Sequence, residues 1–267
     1  MKNRLFLLLL AVAVSLPAAP LPRTFVHPGG NDADNCSRSH PCATFAGALV
    51  NTSDGGEIDV LTSGDYGPLT VSSQNVTVDG LGFTVTGSPI QVNLYNATLR
   101  NLTLASTGTA ITITGHGIVK IERVVIHPDT TGGGTLAVGI SSEANLFMQD
   151  VRIQDAGTGV VVINGGVAAL SRCNLIRNGI GLTAYQGGKA DVDHSIIQNN
   201  SLVGVSTDNN DSGNTPGTIR LSDTTITDNG IGMQVGGTGT PVLVSYGNNR
   251  VYGNTVNGTQ TLLTSQR

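Results

Sequence analysis

A short sequence pattern recurs along the C-terminal two-thirds of the chain and constrains the fold more than any other feature. Each copy holds apolar residues on both sides of one polar residue, as in the segment from Leu170 to Leu175. The successive spacings between the central residues are 22, 27, 22, 22, 29 and 23 for Asn101, Arg123, Asp150, Arg172, His194, Asp223 and Tyr246. A repeat of this size cannot bury its apolar face alone, so neighbouring copies must stack in a solenoid.

Each repeat contains three short runs with alternating side chains, which is typical of β-strands. The larger spacings come from insertions at two different corners, one around residues 129–134 and one around residues 207–217. A leucine-rich horseshoe of similar period needs leucine at many fixed positions and a helix in each repeat, and neither is present. The sequence therefore predicts an all-β fold, a parallel β-helix of about nine coils over residues 55–256.

The ends of this solenoid need covering, because its first coil exposes core side chains and an unpaired strand edge. Residues 20–54 precede the first alternating run and contain a weakly helical segment after Thr44, a residue type that caps helices. We expect residues 20–54 to form an N-terminal cap with a short helix. Residues 257–267 are expected to form a C-terminal tail.

The first residues have the layout of a secretory signal peptide, with a basic start, an apolar run and small residues after it. We expect residues 1–19 to be this signal, cleaved after Ser15 or Ala19, and the protein to be secreted or periplasmic. The apolar run is too short to span a bilayer, and no later stretch is apolar enough to do so. Cys36 and Cys42 are expected to form a disulfide in that oxidising compartment, and a metal site there would need more ligands than the segment offers.

Two polar columns follow from stacking the repeats. The central residues of the repeats include Asn, Asp and His, which tolerate a left-handed backbone and therefore suit a corner. A second column holds an asparagine in four coils, at Asn178, Asn200, Asn229 and Asn254. Stacked asparagine side chains can hydrogen-bond from coil to coil, so we expect this column to be structural.

This coil pattern over residues 24–256, with its glycine-rich N-terminal segment, resembles the right-handed parallel β-helix superfamily of pectin-lyase-like fold. The resemblance implies a right-handed coil. Members of that superfamily include polysaccharide lyases, polygalacturonases and epimerases, and also proteins without a known reaction, so the fold alone does not assign an activity.

The candidate catalytic residues are Asp150, Arg172, Asp193 and His194. Stacked coils lie about 4.8 Å apart, so Arg172 is expected between Asp150 and His194 in one column, with Asp193 on the neighbouring strand face. Arginine can hold the carboxylate of an acidic sugar, and histidine or aspartate can move a proton. The alternative is that mixed charges at one corner only solvate it and neutralise each other.

No cofactor or metal is expected, and calcium is the alternative. The loop from Asp208 to Gly213 matches the first half of a calcium loop, but the position that needs a bidentate glutamate is Ile219. A net charge of -4 without a basic run argues against nucleic acid as a partner.

Two functions remain. The first is a secreted, non-catalytic β-helix with a binding, surface or structural role towards a polysaccharide or another extracellular ligand. The alternative is a polysaccharide lyase, epimerase or hydrolase that acts on an acidic polysaccharide at the four candidate residues. The tyrosines are scattered and tryptophan is absent, which argues against a broad aromatic surface for sugars.

Overall fold

The computed structural model describes residues 19–87, 89–128, 135–208, 215–237 and 240–263. Residues 1–18 of the predicted signal, the predicted insertion at 129–134 and most of the predicted calcium-like loop lie outside these residues.

One helix, α1 (Phe45–Asn51), accompanies a long series of short strands in the described part. In chain order the strands are β1 (Leu21–Val26), β2 (Thr52–Val60), β3 (Gly64–Asp65), β4 (Leu69–Val71), β5 (Val76–Asp79), β6 (Thr84–Thr86), β7 (Ile90–Asn93), β8 (Ala97–Arg100), β9 (Thr103–Ser106), β10 (Ile111–Thr114), β11 (Ile118–Glu122), β12 (Val125–Pro128), β13 (Leu136–Ile140), β14 (Asn145–Gln149), β15 (Arg152–Gln154), β16 (Thr158–Val162), β17 (Val167–Ser171), β18 (Asn174–Ile176), β19 (Ile180–Ala184), β20 (Lys189–Asp193), β21 (Ile196–Gln198), β22 (Val203–Thr207), β23 (Thr218–Ser222), β24 (Thr225–Thr227), β25 (Ile231–Val235), β26 (Val242–Ser245), β27 (Arg250–Tyr252), β28 (Val256–Gly258) and β29 (Leu262–Leu263).

The strands form three parallel sheets, and each turn of the chain adds one strand to each sheet. Sheet A has the order β1-β2-β5-β8-β11-β14-β17-β20-β23-β26-β29, sheet B has the order β28-β25-β22-β19-β16-β13-β10-β7-β4, and sheet C has the order β27-β24-β21-β18-β15-β12-β9-β6-β3. Sheets B and C have nine strands each in the described residues. The predicted all-β parallel β-helix of about nine coils is confirmed.

The core is a narrow file of aliphatic side chains that runs along the inside of the coils. In sheet A, Met148 pairs with Leu170, Leu170 with Val192 and Val192 with Leu221, and all four are buried. Side chains alternate across a strand, so the residues on either side of each core position point to the outer face. The register of sheet A thus determines which side chains meet on its outer surface.

The corner that follows the sheet A strands β8, β11, β14, β17, β20 and β23 is made by one residue in the left-handed region. Six of the predicted corner residues have φ between 43° and 55°, namely Asn101, Arg123, Asp150, Arg172, His194 and Asp223. The assignment of Tyr246 to this corner is wrong by one residue. Leu221 pairs with Ser245, so Tyr246 lies opposite Ser222 on the strand side, and Gly247 (φ 85°) takes the corner.

The asparagine column forms a continuous hydrogen-bonded ladder, as predicted. The backbone N–H of Asn178 donates to Oδ1 of Asn200, and the next two steps, to Asn229 and then Asn254, repeat this bond at 2.9 Å. Each side-chain amide also donates to a backbone carbonyl, as Asn200 does to Leu175 at 3.2 Å. The column satisfies buried backbone groups at a tight corner, which is a structural role.

The N-terminal segment closes one end of the solenoid. Thr44 caps α1 by accepting a hydrogen bond from the Gly47 N–H, and the helix buries Phe45 against Tyr66 with ring centroids 5.3 Å apart. The predicted disulfide is present, with the Cα atoms of Cys36 and Cys42 separated by 4.7 Å. The strand β1 pairs with β2 and forms the edge of sheet A.

Among the described residues, no helix is long and apolar enough to cross a membrane.

Candidate functional site

The four predicted site residues lie near each other but form two separate pairs. Arg172 donates from Nε to Oδ1 of Asp150 at 2.7 Å and from Nη2 to Oδ2 at 3.2 Å. His194, one coil further on, places Nδ1 2.6 Å from Oδ2 of Asp193. The stacking of corners therefore brings arginine and aspartate together across coils, while the histidine contacts its neighbour in sequence.

The Arg172 pair is an exposed, two-point ion pair. Its hydrogen bond holds the pKa of Asp150 below the usual aspartate range and raises the pKa of Arg172. Both groups are consequently charged at neutral pH and engaged with each other. Asp150 occupies the Nε and Nη2 edge of the guanidinium, so a sugar carboxylate could meet only the other edge.

The His194 pair carries a proton more readily than an isolated histidine. The hydrogen bond to Asp193, together with its charge, raises the pKa of His194, and the Asp223 carboxylate adds to the effect. Burial acts to raise the pKa of Asp193, but hydrogen bonds from Ser222 and His194 outweigh it and lower that pKa. Both groups of the pair are therefore charged over a wider pH range than an isolated histidine and an isolated aspartate would be.

One cluster near the corner offers three donors of the kind that bind a divalent metal. Asp193, His194 and Asp223 have ligand atoms within 4.8 Å of one another. Both carboxylate oxygens of Asp193 already accept hydrogen bonds, from Ser222 and from His194. Metal binding needs a deprotonated imidazole, and the raised His194 pKa favours the proton over a metal at this position.

A groove of about 860 Å³ opens on the outer face of sheet A beside the corner column. Two rows of outward side chains line it, and each row follows the strand register. The first row is Lys120, Phe147, Ala169, Asp191 and Arg220, and the second is Glu122, Gln149, Ser171, Asp193 and Ser222. Tyr246 lines the same groove in the following coil.

The depth of the groove comes from small side chains in its central coil. Ala169 and Ser171 stand opposite Phe147 and Gln149 on one side and opposite larger polar residues on the other. A row that runs from large to small to large leaves a depression at the small position. Since the strands β11 to β23 of sheet A pair in unbroken register, the residue sizes at one coil produce the concave shape.

The surface of the groove combines an aromatic face with hydrogen-bonding and charged groups. Phe147 is 47% exposed, which is unusual for a phenylalanine in a folded domain. Next to it lie the amide of Gln149 and the hydroxyl of Ser171. At the far end, Arg220 forms a 3.2 Å ion pair with Asp191.

Of the four predicted site residues, Asp193 lines the groove, while Asp150, Arg172 and His194 lie at the corner beside it. Phe147, an outward residue of β14, was not among the predicted site residues. Its position between the inward residues Leu146 and Met148 was the available signal, because alternation across a strand places the middle residue outside. Ala169 carries no chemical signal of its own, and its importance lies in its small size.

Comparison with known proteins identifies the fold and its family. A family model described as a right handed beta helix region matches residues 82–256. The crystal structure of pectate lyase Pel9A is similar with a TM-score of 0.52 and 16% identity, covering 92% of this chain and 80% of that chain. A rhamnogalacturonan lyase is similar with a TM-score of 0.45 and 12% identity, covering 84% of this chain and 66% of that chain. No curated protein matches the sequence.

The family match covers more than half of the chain and confirms the predicted right-handed coil. At 16% identity the likeness to pectate lyase Pel9A concerns the fold alone. The chain belongs to the right handed beta helix family.

Proposed function

We propose that this chain is a secreted or periplasmic β-helix protein that binds an extracellular polysaccharide, without cleaving it, in the groove on sheet A. The observation that carries the proposal is the half-exposed Phe147 ring in the groove, flanked by hydrogen-bonding side chains. A sugar ring has an apolar face and a rim of hydroxyls, so an aromatic face next to amide and hydroxyl groups is complementary to it. An open groove that crosses several coils suits a polymer better than a compact metabolite.

Two further features support this assignment. Pectate lyase Pel9A, whose name denotes action on pectate, has a similar fold at a TM-score of 0.52. The apolar N-terminal run supports export, and the Cys36–Cys42 disulfide fits an oxidising compartment.

A binding role suits the charged groups better than catalysis does. Arg172 is engaged by Asp150 on one edge of its guanidinium, and neither residue lines the groove. The candidate catalytic groups thus do not converge on one point where a reacting atom could lie. The charged corner is therefore better suited to supporting the groove rim.

The test is polysaccharide binding by the wild-type protein and by two variants of the groove, measured by calorimetry on a panel of pectate, alginate and neutral glucans. Phe147→Ala removes the aromatic face, and Ala169→Leu fills the depression from the outside. We expect each variant to weaken binding by about tenfold or more, the range of a central interface residue. Tyr252→Ala is the matched control, because Tyr252 is an exposed aromatic residue on sheet C, 55% accessible and away from the groove.

The proposal fails if no polysaccharide in the panel binds, or if Tyr252→Ala weakens binding as much as Phe147→Ala. Ala169 points outward, so Ala169→Leu is expected to leave the unfolding free energy within about 0.5 kcal/mol of wild type. A loss of binding in this variant is then a local effect.

A second candidate function is that of a polysaccharide lyase, epimerase or hydrolase acting on an acidic polysaccharide. The observation that favours it is the His194–Asp193 contact of 2.6 Å at the groove rim, because a histidine held by a carboxylate can transfer a proton. Here Asp193 would orient His194, and Arg172, held by Asp150, would face the carboxylate of the sugar.

The enzymatic alternative is tested by incubating the protein with pectate and alginate and following chain length, unsaturated ends and, by NMR, the ratio of uronate epimers. Activity that disappears in both His194→Ala and Arg172→Ala, and persists in the exposed control His116→Ala, supports an enzyme. Polymer unchanged in all three readouts with the wild-type protein rules out cleavage and epimerisation of these substrates and leaves the binding role.

A further inference from the structure

Five charged side chains form a network on the outer face of sheet A near its N-terminal edge. They are Arg23 on β1, Glu57 and Asp59 on β2, Asp79 on β5 and Arg100 on β8. Arg23 contacts Glu57 at 3.1 Å and Asp59 at 2.6 Å, and Arg100 contacts Glu57 at 2.7 Å and Asp79 at 2.8 Å. The network ties the edge strand β1 to three strands of the solenoid, and none of its members lines the groove.

Asp59 is unusual in this network because it is completely buried and only half satisfied. Its Oδ2 accepts a 2.8 Å hydrogen bond from Nε of Arg23. Its Oδ1 is buried and has no hydrogen-bond partner among the residues that the structure describes. A buried carboxylate oxygen without a donor is costly, so a donor is to be expected close by.

Glu57 is the group that can supply this donor. It lies two residues before Asp59 on the same face of β2, and both carboxyls contact Arg23. Burial raises the pKa of Glu57, and the adjacent Asp59 carboxyl raises it further, whereas Arg100 and Arg23 act in the opposite direction. A protonated carboxyl has one O–H to donate, and an ionised carboxyl has none.

The charge balance of the network points the same way. Three carboxyls face two guanidinium groups, so the fully ionised network carries one excess negative charge in a partly buried place. One proton on Glu57 removes this excess and provides the missing donor. A metal cation is a poorer fit, since it would place further positive charge beside the two guanidinium groups.

We propose that Glu57 carries a proton and donates it in a hydrogen bond to Oδ1 of Asp59, so that the attachment of β1 to the solenoid depends on pH. The protonated pair fastens the N-terminal edge in mildly acidic solution. Loss of the proton leaves two adjacent carboxylates and an unpartnered buried oxygen, which weakens the contact between β1 and β2.

The direction of the pH dependence of stability follows from the linkage between protonation of Glu57 and folding. A carboxyl whose folded pKa is raised contributes stability that is present below its ordinary value and is lost as the pH rises through the raised value. Asp79 opposes this in strong acid: burial would raise its pKa, but hydrogen bonds from the Leu81 N–H, Asn101 and Arg100 lower it. The contribution of Asp79 is present above the ordinary aspartate pKa and lost as the pH falls through the lowered value, so the edge is most stable in between.

The direct test is a ¹³C NMR titration of the Glu57 carboxyl in the full chain. We expect its midpoint to be shifted upward relative to glutamate in a short unstructured peptide. A midpoint at or below the peptide value overturns the proposal, because Glu57 is then ionised and cannot donate. This arm needs only the wild-type protein.

The second test is the Glu57→Gln variant, in which an amide N–H replaces the proposed O–H at all pH values. Hydrogen exchange of the β1 amides, corrected for the intrinsic rate, reports the attachment of the edge strand. In wild type we expect protection of β1 to be lost as the pH rises, and in Glu57→Gln we expect protection to remain at its acidic level. If β1 in Glu57→Gln is less protected than in wild type by the same amount at every pH, the proposal is contradicted. That result would mean that an ionised Glu57 holds the arginines. Glu143→Gln, at an exposed carboxyl on another corner, is the control and is expected to behave like wild type.

Discussion

His194 shows how a single contact sets the chemistry of a residue at the groove rim. Its Nδ1 lies 2.6 Å from Asp193, and its Nε2 lies 3.7 Å from Asp223. The hydrogen bond with Asp193 is the largest cause of the raised His194 pKa, and the charge of Asp223 is a smaller one. The imidazolium is stabilised by both carboxylates, but unequally.

This inequality predicts an order of effects. Asp193→Asn should lower the His194 pKa more than Asp223→Asn does, and NMR titration of the imidazole protons measures both. Because the folded pKa is raised, the stabilising contribution of His194 is present below the ordinary histidine pKa and lost as the pH rises through the raised value. The reverse order, or no change in Asp193→Asn, would contradict the assigned contact.

Cys173 is a buried filler of the coil rather than a reactive thiol. It is fully buried next to the corner residue Arg172, and burial raises its pKa to about 11. The thiolate is the reactive form, so an aromatic disulfide reagent at neutral pH should leave the native protein unlabelled and label one thiol per chain after unfolding. Rapid labelling of the native protein would show that this coil opens.

At the scale of the element, the corners and the asparagine ladder give each coil its shape. Asn200 accepts a hydrogen bond from the Asn178 N–H and donates to the Leu175 carbonyl, both within the buried corner. Asn200→Ala leaves the buried Asn178 N–H without its acceptor and removes one donor to the Leu175 carbonyl. We expect a loss of about 1–3 kcal/mol in the free energy of unfolding, the cost of one buried N–H left unpaired.

Chemical denaturation of Asn200→Ala measures this loss. Asn174→Ala is the matched control, because Asn174 is a half-buried, outward residue of β18 outside the ladder. It should change the unfolding free energy by less than about 0.5 kcal/mol. Equal losses in the two variants would mean that the ladder contributes no more than a surface asparagine does.

The sequence predicted these elements well because each depends on local geometry repeated at a fixed period. A left-handed corner favours a few residue types, and four of the six corner residues are of those types, namely Asn101, Asp150, His194 and Asp223. Tyr246 was misplaced because the spacing of the repeats changes in the last coils. The corner residue of its coil is Gly247, one position further along the chain.

The groove was harder to predict because it depends on differences between coils and not on what they share. The charges of the corner column predicted Arg172 as a site residue. The structure places Arg172 beside the groove, in an ion pair with Asp150. The concave shape comes from Ala169 between larger neighbours, and only the strand register shows which residues those are.

Across the whole molecule, the cap, the charged network and the groove lie at different positions along the solenoid. The helix α1 and the disulfide close the N-terminal end, the charged network fastens the edge strand, and the groove lies in the later coils of the same sheet. Because each coil contacts mainly its neighbours, changes at the groove should leave the distant cap intact.

The groove on sheet A is the proposed binding site for a polysaccharide. The most direct measurement is an NMR shift map of the backbone amides on adding the tightest-binding oligosaccharide from the panel. We predict shifts concentrated at Phe147, Ala169 and Ser171, and their disappearance in Ala169→Leu. Shifts confined to sheet B or sheet C, or shifts unchanged by Ala169→Leu, would contradict the account.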